Sequence, residues 1–242
     1  MSTLAIIPAR RDSRGLEGKN KKPICGQPLI HWTIEQAQLA RVKGKVQDII
    51  VVSNDDNILQ IAQNEGVWFV REPEKAADDK AHFSDFVIFV LNHLDTQGRT
   101  YDNFVLLEPT SPLRDAQDII NCIDLLSVEG NESASCVVSI AKHKDAHPTM
   151  QCEKDRKGFM RGPGGNVDVP KHTKRQQIRD MFYPEGSVYV SKVDHFRKEK
   201  SFYGTDTVLY EILPEYKWLE IDTLYDFKMA ECMLRQKLEG KL

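Results

Sequence analysis

The residues with most chemistry to offer lie just beyond the first apolar run. Arg10, Arg11, Ser13, Arg14, Gly15, Gly18, Lys19 and Asn20 crowd into one short stretch. Glycine lets a backbone approach a ligand closely, and exposed N–H groups together with Arg and Lys neutralise phosphate charge. The spacing is neither GxGxxG nor GxxxxGK(S/T), which disfavours dinucleotide and Walker-type sites. On residue types alone the stretch reads as an anion cradle or as a solvated basic loop.

A second constellation lies near the end of the chain, in Trp218-Leu219-Glu220-Ile221-Asp222. Read as a strand, this run projects Glu220 and Asp222 to the same face, because strand side chains alternate. Two hard carboxylate oxygens beside a phosphate cradle are what Mg²⁺ prefers, with water and phosphate completing its shell. An exposed acidic strand end is the other reading.

Short apolar runs alternate with amphipathic stretches and supply the frame for these residues. Leu4 to Ile7, Ile49 to Ser53, Val67 to Val70, Phe104 to Leu107, Ser135 to Ile140 and Gly186 to Val190 read as strands. Helical spacing runs from Pro28 to Val42, after a cap at Asn54-Asp55, from Phe83 to Leu94, from Asp115 to about Val128, and from about Leu224. Strands that are apolar on both sides and alternate with helices predict an α/β, mainly parallel sheet covered by helices on both faces. Such sheets bind ligands at the carboxyl ends of their strands, which is where the basic loop falls. From about His143 to Asp180 the pattern degrades around Gly162-Pro163-Gly164-Gly165, as a loop or as a small arm projecting from the sheet.

Composition narrows the function classes. At 242 residues the chain suits one large α/β domain. A net charge of −3 gives no global basic field, so no nucleic-acid partner is expected. The five cysteines are scattered, without zinc spacing or a disulfide framework, and read as reduced thiols. Strand-like residues begin within three positions of the N-terminus, which leaves no room for a signal peptide there. No apolar run approaches the ~20 residues of a membrane helix, and the expected location is cytoplasmic.

The order of the motifs adds a resemblance over nearly the whole chain. IIPARRDSRGLEGKN, followed by KPICGQPLIHWTI, is similar to the opening of the CMP-sialic acid synthetases, or N-acylneuraminate cytidylyltransferases. Their pattern reads roughly IPARxxSKGxxxKN and then KPLxGKPLIxxTI. Leu106 to Arg114 resembles that family's LLQPTSPLR, Arg175-Gln176-Gln177 its RQ element, Pro184 to Val190 its PNGAIYI, and Glu220 to Thr223 its DIDT.

The resemblance implies a Rossmann-like nucleotidyltransferase over 1–242, with a dimerisation element inserted at about 143–185. It implies attack of an acidic 2-keto sugar's anomeric hydroxyl on the α-phosphate of CTP, releasing pyrophosphate. Arg10, Ser13, Arg14, Gly15, Lys19 and Asn20 would then hold the triphosphate, with Arg14 standing where Lys is commoner. Arg71 would lie near the cytosine. Lys80 and His82 fall in its base pocket, where DDKAHFSD replaces a Ser/Thr-rich sequence and a helix-capping turn is the alternative. Glu108, Thr110, Ser111, Tyr183, Glu185 and Ser187 would face the sugar, joined by Arg175 and Gln176 from the partner subunit of a homodimer. Glu220 and Asp222 would hold Mg²⁺, with Lys19, Arg10 and Arg175 stabilising charge during transfer.

Two departures bear on the sugar. Glu108 replaces the family's Gln and Glu185 its Asn, and an ionised Glu only accepts hydrogen bonds. Two carboxylates repel an anionic sugar unless cations compensate or one is protonated. The expected acceptor is therefore a relative of N-acetylneuraminate with an amino group or a different hydroxyl pattern. Two further readings stay open: a cytidylyltransferase for 3-deoxy-manno-octulosonic acid or another acid, and a nucleotide-binding protein without turnover.

Overall fold

A run such as Leu4-Ala5-Ile6-Ile7 can bury every side chain only in a strand covered on both faces, and β1 (Thr3–Pro8) does so. In the computed structural model, residues 1–11, 15–73, 83–143, 151–162 and 179–242 are described. After β1 come the two-residue strands β2 (Pro23–Ile24) and β3 (Gln27–Pro28), then α1 (Leu29–Val42) and β4 (Asp48–Ser53). These are followed by α2 (Asp56–Asn64), β5 (Trp68–Arg71), α3 (Phe83–Thr96), β6 (Asn103–Leu106), α4 (Ala116–Leu125) and β7 (Cys136–Lys142). A short hairpin, β8 (Glu153–Lys154) and β9 (Met160–Arg161), precedes β10 (Phe182–Lys192), α5 (Val193–Glu199), β11 (Thr207–Glu211) and α6 (Leu224–Leu238).

Seven strands form one sheet in the order β11-β7-β10-β6-β1-β4-β5. β1 runs parallel to both neighbours, β4 and β6, while β10 is antiparallel to β6 and β7. The chain moves from β1 outward to β4 and β5, then returns to place β6 on the other side of β1. The order therefore reverses between β1 and β6, and a crevice opens at their carboxyl ends. The sheet is mainly parallel with helices on both faces, as the alternating pattern predicts.

Strand alternation divides the core into two layers. Ala5, Ile7, Val51 and Val105 pack under α1, α2 and α4, whereas Leu4, Ile6, Val52 and Phe104 pack under α3 and α5. A third cluster joins Ile24, Leu29, Trp32 and Leu113 to Ile221 and to Phe227 and Leu234 of α6. The capping residues work as expected. The Asp55 side chain accepts the Asn57 N–H at 2.9 Å, and Asp115 with Asp118 forms a capping box on α4.

One expected strand is absent. Trp218–Asp222 is not in the sheet: Glu215–Trp218 forms a 3₁₀ turn, and the following residues run without regular structure past Thr110. Their tie there is a single Ile221 N–H to Thr110 carbonyl bond of 2.9 Å. Buried Ile221 still separates exposed Glu220 from exposed Asp222. The alternation holds because α6 packs on Ile221, without a sheet ladder. Among the elements that the sequence reading left unassigned are α5 and the edge strand β11, which pairs in parallel with β7.

Candidate active site

At the crevice between β1 and β6 lies a cleft of about 270 Å³. Pro8 and Arg10 enter it from the end of β1, Lys19 and Asn20 from the basic loop, and Glu108, Pro109 and Thr110 from beyond β6. Phe86 of α3 closes one side. Arg10, Lys19 and Asn20, at the two ends of the stretch that looked like an anion cradle, therefore line a cavity.

Backbone contact fixes the loop against the acidic segment. A Cβ on Gly15 would stand 2.0 Å from the Asp222 carbonyl oxygen, a separation no side chain tolerates. Glycine is required there by close approach. Lys19 Nζ donates to the Ile221 carbonyl at 2.8 Å and reaches Asp222 Oδ1 at 3.3 Å. Asn20 is buried; its Nδ2 donates to the Arg10 carbonyl at 3.1 Å, and its Oδ1 takes no bond from the described residues. A buried acceptor without a partner on a cleft wall suits a ligand that brings a donor.

Glu108, Glu220 and Asp222 lie near one another beside this cleft. Partial burial first, then Glu108 and Asp222, pushes Glu220, which keeps an exposed surface, up to about 7, against the pull of Lys19. Burial likewise raises Glu108, with Asp222 adding to it and Thr110, Arg114 and Lys19 opposing. A cation beside Glu220 and Asp222 would relieve this repulsion. Among the described residues no three acidic, His or Cys side chains converge on one point. Two carboxylates are a donor set that Mg²⁺ accepts when phosphate and water supply its remaining oxygens.

Glu108 is also the wall of a second cavity, of about 590 Å³. Leu106, Tyr189, Phe196, Phe202 and Tyr203 line it, with Lys200 and Ser201 at the turn after α5. The rings support one another: Phe196 and Phe202 centroids lie 4.9 Å apart, and Tyr189 and Phe202 5.2 Å. A charged cleft and an aromatic cavity that meet at one side chain can hold two unlike molecules, or two halves of one.

Of the residues singled out in the sequence, Arg10, Gly15, Lys19, Asn20, Glu108, Thr110, Glu220 and Asp222 come together here. Buried Ser111 lies in the same loop, its Oγ without a partner among the described residues. Ser13, Arg14, Lys80, His82, Arg175 and Gln176 lie outside the described residues. The structure does not bring Arg71 to the cleft. Strand alternation turns it away from buried Val70 onto the outer surface, where it pairs with Asp56.

Glu185 is buried instead of facing an acceptor. Its carboxylate takes the Ser187 N–H at 3.1 Å and the Ser187 hydroxyl, so Ser187 is spent on Glu185. Burial raises the pKa of Glu185, while Ser139, Ser187 and Arg114 oppose the rise. Tyr183 is half-exposed and packs on His143 at 4.7 Å. Of the two acidic departures, Glu108 lines both of these cavities and Glu185 lines neither.

Several site residues were not picked out from the sequence. Arg114 is fully buried and ties the site together, donating to the Glu108 carbonyl at 2.9 Å, the Ser187 carbonyl at 2.8 Å and Thr33 Oγ1 at 2.6 Å. Glu72, Phe86 and the aromatic set after α5 carried no spacing signal. Only the close pair Phe202-Tyr203, between two unassigned elements, could have drawn attention.

Comparison with known proteins agrees with this geometry. Residues 4–211 match the sequence profile of a family described as Cytidylyltransferase. The N-acylneuraminate cytidylyltransferase of Escherichia coli O18:K1:H7 is 29% identical over 239 residues, covering 99% of this chain and 54% of that protein. The Streptococcus agalactiae protein of the same name is also 29% identical, with 52% of its length covered. The chain thus spans about half the length of these relatives. The CMP-N,N'-diacetyllegionaminic acid synthase of Legionella pneumophila matches end to end, 28% identical with 99% of each chain covered. Among solved structures, a CMP:2-keto-3-deoxy-manno-octonic acid synthetase complexed with CTP superimposes with a TM-score of 0.70. It covers 98% of this chain and 100% of its own at 14% identity, which speaks to the fold alone.

Proposed function

We propose, from the premise that this chain belongs to the cytidylyltransferase family, that it transfers CMP from CTP to the anomeric hydroxyl of an acidic nonulosonic sugar and releases pyrophosphate. The observation that carries this reading is the meeting of the charged cleft and the aromatic cavity at Glu108. CTP occupies the cleft, with its phosphates against Lys19, Arg10 and the backbone around Gly15. The sugar occupies the cavity, with its acyl groups against the rings. Transfer of this kind is catalysed by positioning and charge neutralisation. Lys19 is placed for both, since its ammonium already bridges the loop and the acidic segment.

Glu220 and Asp222 hold Mg²⁺, which supplies Lewis-acid neutralisation at the phosphates when bound. Ser13, Arg14, Lys80 and His82 extend the nucleotide side, and Arg175 with Gln176 reaches a partner's sugar in a homodimer. The apolar side chains of Phe159, Met160, Met181 and Phe182 support the dimer, because they are exposed on both sides of that segment. All five cysteines are free, which suits a reducing cytoplasm.

Glu108 directs the choice of acceptor. When ionised it accepts donors and repels a nearby carboxylate, so a sugar with an additional acylamino N–H suits it better than ordinary N-acetylneuraminate. The end-to-end match to a synthase of diacetyllegionaminic acid points the same way.

Pyrophosphate release from CTP and Mg²⁺ with a panel of acids tests the reading. The panel contains N-acetylneuraminate, N,N'-diacetyllegionaminate and 3-deoxy-manno-octulosonate, and the diacylated acid should turn over fastest. Turnover of N-acetylneuraminate at an equal or higher rate refutes the acceptor assignment. CTP binding with no release under any acceptor refutes the enzyme.

A further inference from the structure

Arg10 is held from two directions. Asn20 Nδ2 fixes its carbonyl at 3.1 Å. Its guanidinium meets Glu72, with Nε 3.2 Å and Nη2 3.0 Å from the same oxygen, Oε1. The Glu72 side chain is 0% exposed and that of Arg10 32%. Glu72 follows β5 directly and turns inward where Arg71 turns out.

The backbone behind this pair has no slack. The Glu72 N–H donates to the Ser53 carbonyl at 3.0 Å, and Ser53 Oγ donates to the Ala9 carbonyl at 2.6 Å. Ala9 N–H in turn donates to the Val52 carbonyl at 2.9 Å. The carboxylate is therefore tied through two strands to the residue preceding the guanidinium it holds.

As a stabilising device the pair is poor. Glu72 Oε2 is buried and takes no hydrogen bond from the described residues. Burial pushes the carboxyl pKa up, and Arg10 only partly counters this. A buried ion pair with an unsatisfied oxygen is commonly worth less than apolar side chains of the same volume. What the pair does supply is orientation. A guanidinium pinned through two of its nitrogens presents its charge to the cleft from one fixed position.

We propose that Glu72 is a positioning residue for the nucleotide, acting through Arg10. The proposal rests on the reading of the cleft as the CTP site.

The test measures CTP binding by calorimetry, and the KM values of CTP and acceptor by pyrophosphate release. Wild type is compared with Glu72→Gln, Glu72→Asp, Arg10→Gln and the double variant Glu72→Gln/Arg10→Gln. Glu72→Gln keeps the shape and removes the charge. It should raise Kd and KM for CTP about tenfold and leave the acceptor KM alone, while any loss of Tm from unpairing Arg10 bears on both substrates alike. In the Arg10→Gln background the same change should move the CTP constants less than about twofold, because coupled residues are not additive.

A merely structural role would instead leave the two KM values in proportion. The proposal is overturned if Glu72→Gln leaves the CTP constants unchanged, or if its effect persists in full without Arg10. Should Glu72→Gln not fold, Glu72→Asp decides. It keeps the charge but shortens the reach, and an unchanged KM for CTP overturns the proposal. A wild-type chain that neither binds nor turns over CTP overturns the underlying reading together with this one. A wild-type chain that does both while the variants match it overturns this one alone.

Discussion

The cleft over β1 and the cavity beside β10 share Glu108 and little else. The cleft is built from charge: Arg10, Lys19 and the amide of Asn20 stand within one loop and the strand before it. The cavity is built from shape: Leu106, Tyr189, Phe196, Phe202 and Tyr203 come from two strands, a helix and the turn after it. Phosphate recognition needs cations and N–H groups at short spacing, which a contiguous loop can deliver. A sugar's acyl groups need rings at fixed separations, and only packing of distant segments gives that. On the proposed function, nucleotide and acceptor would then be met by largely separate parts of the chain.

That separation can be broken on either side. Lys19→Ala should do most, lowering kcat/KM for CTP by about 10³-fold in a pyrophosphate assay, since a preorganised charge at the phosphates is lost. The acceptor KM should stay put. Gly15→Ala comes next. Its new Cβ has to displace the Asp222 carbonyl, and a shift of about 1 Å there should cost about 10²-fold in the same assay. A rate within twofold of wild type would show that the loop and the acidic segment need not touch.

On the acceptor side, Tyr203→Ala removes a cavity-lining ring that is 59% exposed. The acceptor KM should rise about tenfold, the worth of burying part of one aromatic ring, with the CTP KM unchanged. A parallel rise in both would merge the two regions into one site. The smallest effect should come at the shared wall. Burial holds the Glu108 carboxyl above its ordinary pKa, so it stays neutral to a higher pH than a free carboxyl. As pH rises through that pKa the side chain becomes an anion, and kcat/KM for an acidic acceptor should fall about threefold. Glu108→Gln cannot ionise and should flatten that slope.

The unequal legibility of the two regions follows from the same physics. The basic loop was readable because Arg10, Lys19 and Asn20 fall within one turn-rich stretch after a strand, and strand ends are where such sheets bind. The acidic pair at Glu220 and Asp222 was readable by alternation, although the ladder expected to enforce it is replaced by Ile221 docking on α6. Arg71 and Glu72 show the limit. They are adjacent in sequence and point oppositely, and only the position of β5 in the sheet decides which faces inward. Glu185 shows it again, since its burial against Ser187 depends on the irregular pairing of β10 with β7 between Pro184 and Tyr189.

By itself, the sequence determined the α/β alternation, the place of the basic loop at the end of the first strand and the chain's kinship with cytidylyltransferases. Each depends on periodicity or on motifs a few residues long, and those survive in one dimension. Only the tertiary structure decided that Glu108 joins two cavities, that Arg114 ties α1, β10 and the 108–114 loop together, and that Arg10 is pinned by Glu72. These are contacts between segments tens of residues apart, and their geometry is fixed by sheet order and packing, which no local pattern records.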